Sequence, residues 1–273
     1  MTETATAPER PASSAEPLLE LRDVNKSFGA VHVLRGVHFS AYAGEVTALV
    51  GDNGAGKSTL IKCIGGIHAI DSGDYLFDGK PVTVHSPRDS SALGIEIVYQ
   101  DLALCDNLDI VQNMFLGRER KAGVVLDEAS METAAAETLA SLKVRTVKSI
   151  RQQVASLSGG QRQTVAIAKA VLWNSRIVIL DEPTAALGVA QTRQVLDLVR
   201  RLADNGLAVV LISHNLIDVF EVADRISALY LGQVAAEVRT TDVTSNQVVE
   251  LITAGRTEGV PSAAPAAEEG SRA

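Results

Sequence analysis

Gly51-Asp52-Asn53-Gly54-Ala55-Gly56-Lys57-Ser58 fits the spacing G-x-x-x-x-G-K-[ST] of a loop that grips phosphate. Gly54 and Gly56 let backbone N–H groups come close to phosphate oxygens. Lys57 has the reach for β- and γ-phosphates. The Ser58 hydroxyl can ligate Mg²⁺, and Thr59 adds a hydroxyl near the α- and β-phosphates. Chance produces this pattern in roughly 1% of chains of this length, where it is only a Gly-rich turn.

Two further stretches could share the work. Ile177-Val178-Ile179-Leu180 is an apolar run that closes on Asp181 and Glu182. A run of that kind is a buried strand, so the two carboxylates project over its end. Asp181 suits a metal, directly or through water. Glu182 suits the polarisation of an attacking water. The competing reading is a solvated strand end. Leu157-Ser158-Gly159-Gly160-Gln161 opens a helix as a capping box, with Ser158 as N-cap and Gln161 three residues on. Its glycines leave the first turn bare for an oxygen-rich ligand, although S-x-x-Q by itself marks only a helix start.

Elements able to hold these groups are visible around them. Leu18–Val24 alternates as a strand, and Val46–Val50 is a second strand feeding the phosphate loop. A helix starts at Lys57 and ends at the Gly65-Gly66 pair. Tyr75–Phe77 with Asp78-Gly79 reads as strand and turn, and Ile95–Tyr99 as another strand. Residues 101–156 carry an Ala-rich helical signal, clearest over Met131–Leu139. After Ser158, helix and strand alternate over 159–173, 176–181, 191–204 and 207–213. That order predicts an α/β core with a mostly parallel sheet, interrupted by a helical insertion.

The 273-residue chain is 46% apolar and 21% charged, which suits a globular protein with one large domain. Its formal net charge of −8 disfavours binding to phosphate backbones, so no nucleic-acid partner is expected. Cys63 and Cys105, with no Cys-x-x-Cys, give neither a zinc site nor a disulfide framework and suit two buried or half-buried thiols. No run approaches the ~20 apolar residues of a membrane span. Residues 1–17 lack the basic start and apolar core of a secretory signal. Residues 1–17 and 257–273 read as disordered tails. A cytoplasmic protein is expected, reaching any membrane through a partner.

Taken together, the phosphate loop, the Leu157–Gln161 pentapeptide and the strand ending in Asp181-Glu182 resemble the ATP-binding cassette of ABC transporters. The resemblance covers about residues 18–256. It implies a P-loop NTPase core with antiparallel strands on its N-terminal side and a helical subdomain at about 101–158. It implies ATP and Mg²⁺, and a site that spans Gly51, Asp52, Asn53, Gly54, Ala55, Gly56, Lys57, Ser58 and Thr59. Ser158, Gly159, Gly160 and Gln161 then cap the γ-phosphate of ATP held by a second copy, which makes a homodimer. Phe28 resembles the aromatic that stacks on adenine; its other reading is a core aromatic. Gln100 resembles the glutamine that touches Mg²⁺ and senses the γ-phosphate, and His214 the switch histidine. One position departs from the family: Gly188 stands where an Asp is common, and that Asp helps hold the two subunits together.

Chromosome-organising relatives need a longer interval between the motifs, translation-factor relatives two cassettes, and exporters fused membrane helices. What is left is the separate ATPase of an importer. Tyr99-Gln-Asp-Leu-Ala-Leu104 and Phe115-Leu-Gly-Arg-Glu119 resemble the ATPases of monosaccharide importers. That resemblance implies membrane permease subunits docked near Asp101–Asn107, an extracytoplasmic sugar-binding protein, and a peripheral place on the cytoplasmic face of the membrane. An importer ATPase for another solute such as an amino acid, or a soluble ABC ATPase, are the alternatives.

Overall fold

The computed structural model describes residues 16–144, 147 and 149–260. Strands β1 (Leu19–Phe28) and β2 (Val31–Ala41) form a long antiparallel pair, followed by β3 (Val46–Gly51) and helix α1 (Lys57–Ile64). Next come β4 (Ser72–Phe77), β5 (Lys80–Pro81), α2 (Pro87–Ala92) and β6 (Ile95–Val98). The interval to the second motif holds α3 (Ile110–Phe115), β7 (Lys121–Ala122), β8 (Val125–Leu126) and α4 (Glu128–Ser141). The chain then runs through α5 (Gly159–Val171), β9 (Ile177–Asp181), α6 (Val189–Asp204), β10 (Ala208–Ile212) and α7 (Leu216–Val222). It closes with β11 (Arg225–Tyr230), β12 (Gln233–Arg239) and α8 (Ser245–Ala254).

Six strands make the central sheet in the order β12-β11-β3-β10-β9-β6. All neighbours in it are parallel except β11 and β12. The interior strands are mostly apolar because both faces are covered: Val46–Val50, Ile177–Leu180 and Ala208–Ile212 are all buried, with Thr47 the one polar residue among them. A second, antiparallel sheet in the order β2-β1-β4-β5 packs on one face. Phe39, Leu34, Leu21 and Leu19 from it meet Leu49, Ile179, Val210 and α1. On the other face α5 and α6 pack against Val178, Leu180, Val209 and Leu211.

Helices α3 and α4 join that same cluster through Ile110, Met114, Phe115, Met131, Ala135 and Leu139. The insertion is therefore helical only in part, since the β7–β8 hairpin interrupts it with Val124, Val125 and Leu126 exposed. Of the two tails expected from composition, only 16–17 and 257–260 fall among the described residues. Val260 packs on the cluster under α8, and Gln247 Nε2 donates to the Glu258 carbonyl at 3.3 Å. Cys63 is buried, which pushes its thiol up to about 11 and leaves it inert as a nucleophile.

Candidate functional site

Strands β3, β10, β9 and β6 run in one direction, so their C-terminal ends reach one edge of the sheet. That edge is where an open parallel sheet places its ligands. Beyond β3 comes the phosphate loop, beyond β9 Glu182, beyond β10 His214, and beyond β6 Gln100. A cavity of about 400 Å³ opens there, lined by Asp52, Asn53, Gly54, Gly56, Lys57, Ser58, Thr59, Gln100, Asp181 and Glu182. Residues 48 to 130 positions apart in the chain thus meet because of strand order. Val33 and Ile212 complete the lining; neither has a side chain whose type announces chemistry.

The loop is held in shape by its own geometry. A Cβ on Gly51 would lie 2.5 Å from the Leu229 carbonyl oxygen, so only glycine lets the strand pass there. Gly56 caps α1 with φ +110°, a left-handed conformation that turns the chain into the helix. Lys57 Nζ donates to the Gly51 carbonyl at 2.7 Å and the Asp52 carbonyl at 3.0 Å. Burial pushes this ammonium below the usual lysine value, while Glu182, Asp52 and Asp181 pull it back up. Asp181 is raised from its ordinary value, by burial first and by Glu182 second.

Glu182 sits just past β9 with φ +50°, a conformation that costs a non-glycine residue about 1–3 kcal/mol. Its N–H donates to the Ile212 carbonyl at 3.0 Å, which ties the ends of β9 and β10 together. Its Oε2 lies 2.7 Å from His214 Nδ1. The turn after Glu182 is braced by Thr184 Oγ1, which donates to Asp218 Oδ2 at 2.7 Å, and Asn215 Nδ2 donates to Asp218 Oδ1 at 2.9 Å. One buried carboxylate therefore anchors both the turn bearing Glu182 and the turn bearing His214. His214 itself is 74% exposed and lines a neighbouring cleft with Thr184, Leu187 and Ile217.

The remaining sequence-predicted residues lie outside the phosphate cavity. Gly51 and the buried Ala55 belong to the loop but not to the cavity lining. Phe28, 43% exposed, is not a core residue: its ring meets His68 edge-on at 5.0 Å, with Lys26 Nζ 5.5 Å from the ring centroid. Ser158 does cap α5, its Oγ accepting from Gln161 N–H at 3.4 Å while Gln161 Oε1 accepts from Ser158 N–H at 2.8 Å. The two glycines have a second reason to be there. A Cβ on Gly159 would lie 3.1 Å from Leu187 Cδ2, and one on Gly160 would lie 3.0 Å from Gln191 Cβ. The first turn of α5 is thus bare partly because the start of α6 packs on it.

A phosphate-binding strand–loop–helix, with carboxylates and a glutamine at the ends of neighbouring parallel strands, is the arrangement of a nucleotide hydrolase. The family described as ABC transporter matches residues 34–185. This chain belongs to the ABC transporter family. It is an ABC-type ATPase, an ATP hydrolase coupled to transport. The xylose/arabinose import ATP-binding protein XylG of Sulfolobus acidocaldarius is 48% identical over 236 residues, which cover 86% of this chain and 94% of that protein. The fructose import ATP-binding protein FrcA of Rhizobium meliloti is 46% identical over 88% of this chain and 95% of its own length. The ribose import ATP-binding protein RbsA 2 of Escherichia coli O157:H7 is 37% identical over 88% of this chain, but only 47% of its own length is matched. Among solved structures, a nucleotide-free ABC transporter cassette is similar with a TM-score of 0.75 at 26% identity, covering 88% of this chain and 96% of its own. The dimeric cassette MJ0796 gives a TM-score of 0.68 at 25% identity, over 81% of this chain and 98% of its own. No helix among the described residues of this ABC ATPase is long and apolar enough to cross a membrane.

Proposed function

We propose that this ABC ATPase energises uptake of a monosaccharide through a separate membrane permease, working as a dimer on the cytoplasmic face of the membrane. Two relatives matched over nearly their whole length, both named as sugar import ATP-binding proteins, support the solute class. The observation that carries the chemistry is the single cavity in which the phosphate loop meets Gln100, Asp181 and Glu182. Residues 18–256 act as one ATPase domain, with 101–158 as its inserted subdomain.

In this reading the backbone N–H groups of residues 52–58 and the N-terminus of α1 bind the phosphates. Lys57 exchanges its two carbonyl partners for phosphate oxygens. Glu182 orients water, held by its bond to His214, and the approaching γ-phosphate is sensed by His214 and Gln100. Phe28 offers an exposed ring face to adenine. The donors Ser58, Gln100 and Asp181 are all oxygens, which suits Mg²⁺ with its remaining positions filled by water and phosphate. The ion would offset charge on the β- and γ-oxygens. Ser158 to Gln161 complete the site of the other copy.

The permease docks on the helical insertion. An apolar hollow of about 180 Å³ opens there, with Leu108, Val111, Phe115, Leu126 and Met131 in its walls. An extracytoplasmic sugar-binding protein delivers the solute. The test is purification of the tagged chain from detergent-solubilised membranes of its own cell. The expected result is a polytopic membrane partner, with ATP hydrolysis stimulated by a binding protein loaded with a monosaccharide. Recovery from the soluble fraction alone, or stimulation by an amino-acid binding protein instead, would overturn the reading.

A further inference from the structure

Between Gln100 and the helix that starts at Ser158, two stretches of backbone are zipped together. Val154 N–H donates to the Leu108 carbonyl at 3.0 Å, and Ala155 N–H to the Asp106 carbonyl at 3.0 Å. Asp109 and Gln153 form an isolated antiparallel bridge, and Val111 N–H donates to the Ile150 carbonyl at 3.3 Å. So the segment that leaves the nucleotide cavity after Gln100 runs directly beside the one that leads into Ser158.

Arg162 closes this arrangement. It lies one turn into α5, and its N–H bonds back to the Ser158 carbonyl at 2.9 Å. Its guanidinium reaches backward past the cap. Nη2 donates to the Ala155 carbonyl at 3.2 Å, and Nε donates to the Leu157 carbonyl at 3.4 Å. Nη1 pairs with Asp106 Oδ1 at 2.9 Å. A ring of contacts results: Asp106 carboxylate to Arg162, Arg162 to the Ala155 carbonyl, Ala155 N–H to the Asp106 carbonyl. A planar guanidinium suits this, since its several N–H donors diverge in fixed directions.

We infer that Arg162 is a positioning residue: through its Asp106 pair it sets the position of Ser158 relative to the segment that follows Gln100. The inference rests on the proposed use of Ser158 against ATP on a second copy. Arg162 is one-third exposed and Asp106 nearly two-thirds, and ion pairs that open to solvent add little to stability. The pair's contribution is to geometry. When Gln100 or residues 101–107 shift, the shift reaches Ser158 through a short chain of bonds and not through the whole insertion.

The test uses the full chain in a Glu182→Gln background, with ATP-driven dimerisation followed by sedimentation. Arg162→Gln is expected to raise the ATP concentration for half-maximal dimerisation about tenfold or more. Its melting temperature and the nucleotide affinity of the monomer should stay at parental values. Asp106→Asn should do the same to a smaller extent, and the double variant should be no worse than Arg162→Gln alone. Ser158→Arg separates the two levels. If Ser158→Arg also dimerises normally, the shared-site reading fails. If Ser158→Arg abolishes dimers while Arg162→Gln leaves them unchanged, the positioning role fails. A fall in melting temperature and monomer affinity alongside dimerisation would make Arg162 merely structural and would also overturn it.

Discussion

At the phosphate loop, parallel strands bring the loop residues 52–54 and 56–59 together with Gln100, Asp181 and Glu182 from distant parts of the chain in one cavity. At the start of α5 no such convergence occurs. Ser158 and Gln161 bond to each other, and their neighbours are the insertion and the first turn of α6. The first region stores strain and burial: Glu182 is left-handed, and Lys57 and Asp181 are shifted by desolvation. The second is an exposed helix end steadied by polar contacts at the surface. A sheet edge can build a binding site within one chain. An exposed helix end at the border of an insertion presents a surface to something else. The two motifs therefore differ in kind, and in the proposed reading one grips nucleotide while the other is delivered to a second copy.

The most severe way to break the comparison is to disable each region separately. Glu182→Gln should retain nucleotide binding and lose about 10²–10⁴ in turnover, because the carboxamide keeps the shape and loses the acceptor charge. Ser158→Arg should also retain nucleotide binding while losing hydrolysis, since the cavity does not include Ser158. Lys57→Ala should lose binding. Mixing Ser158→Arg with Lys57→Ala should restore hydrolysis, since each heterodimer then holds one intact loop facing one intact Ser158. Fluorescent-nucleotide titration and phosphate release measure all three. No rescue on mixing would mean that the two motifs act within one chain.

The sequence made both motifs legible and left much of their surroundings hidden, for physical reasons. Strand β10 and residues Ile177–Leu180 of β9 are continuous apolar runs, β3 is broken only by Thr47, and the glycine spacing of the loop is dictated by backbone close to phosphate. The meeting of Glu182 with His214 depends on strand order, which no local pattern carries. Strand β2 escaped because Gly36, with φ +60°, and nearby register shifts break its alternation. The hairpin of β11 and β12 escaped because Ala228, Ala235 and Ala236 carry no strand preference. Gly159 and Gly160 read as open ground for a ligand, yet Gly159 also faces Leu187 just before α6 and Gly160 faces Gln191 in its first turn. The β7–β8 hairpin is too short for any periodicity to show.

A medium effect separates the regions by pH. Glu237 on β12 is mostly buried near Arg225, Glu45 and Glu20, and burial pushes its carboxyl up to about 7 despite Arg225. The folded protein thus keeps a proton that the unfolded chain gives up near its ordinary value of 4.5. The stabilisation is complete below that value and is lost as pH rises through about 7. At roughly 1.4 kcal/mol per unit, the loss is on the order of 3–4 kcal/mol. Glu237→Gln should flatten denaturant midpoints across that window. The insertion should respond to salt instead: Arg151 pairs there with Asp109, Glu128 and Glu132 at the surface, and such pairs are screened. An unchanged pH slope in Glu237→Gln would place the titrating group elsewhere.

The smallest effect lies at the junction of the two regions, at Gly188. It is the N-cap of α6, with φ −74° and ψ 159° and no side-chain cap. That conformation is open to any residue, and a Cβ there would meet nothing within 4 Å. Gly188→Asp is therefore accommodated without strain. Its carboxylate can accept from N–H groups of the first turn and sits at the positive end of the helix. Relative to glycine the gain is a few tenths of a kcal/mol in the isolated chain. A larger consequence belongs to the pair of copies. If the segment after Leu187 faces the partner, a carboxylate there adds a charge-assisted contact of about 1.5–3 kcal/mol across the interface. In the Glu182→Gln background, sedimentation should then show Gly188→Asp dimerising at lower ATP. Stabilisation of the monomer with an unchanged dimer would confine this position to capping α6, and would leave Ser158 to Gln161 as the chief contact between copies.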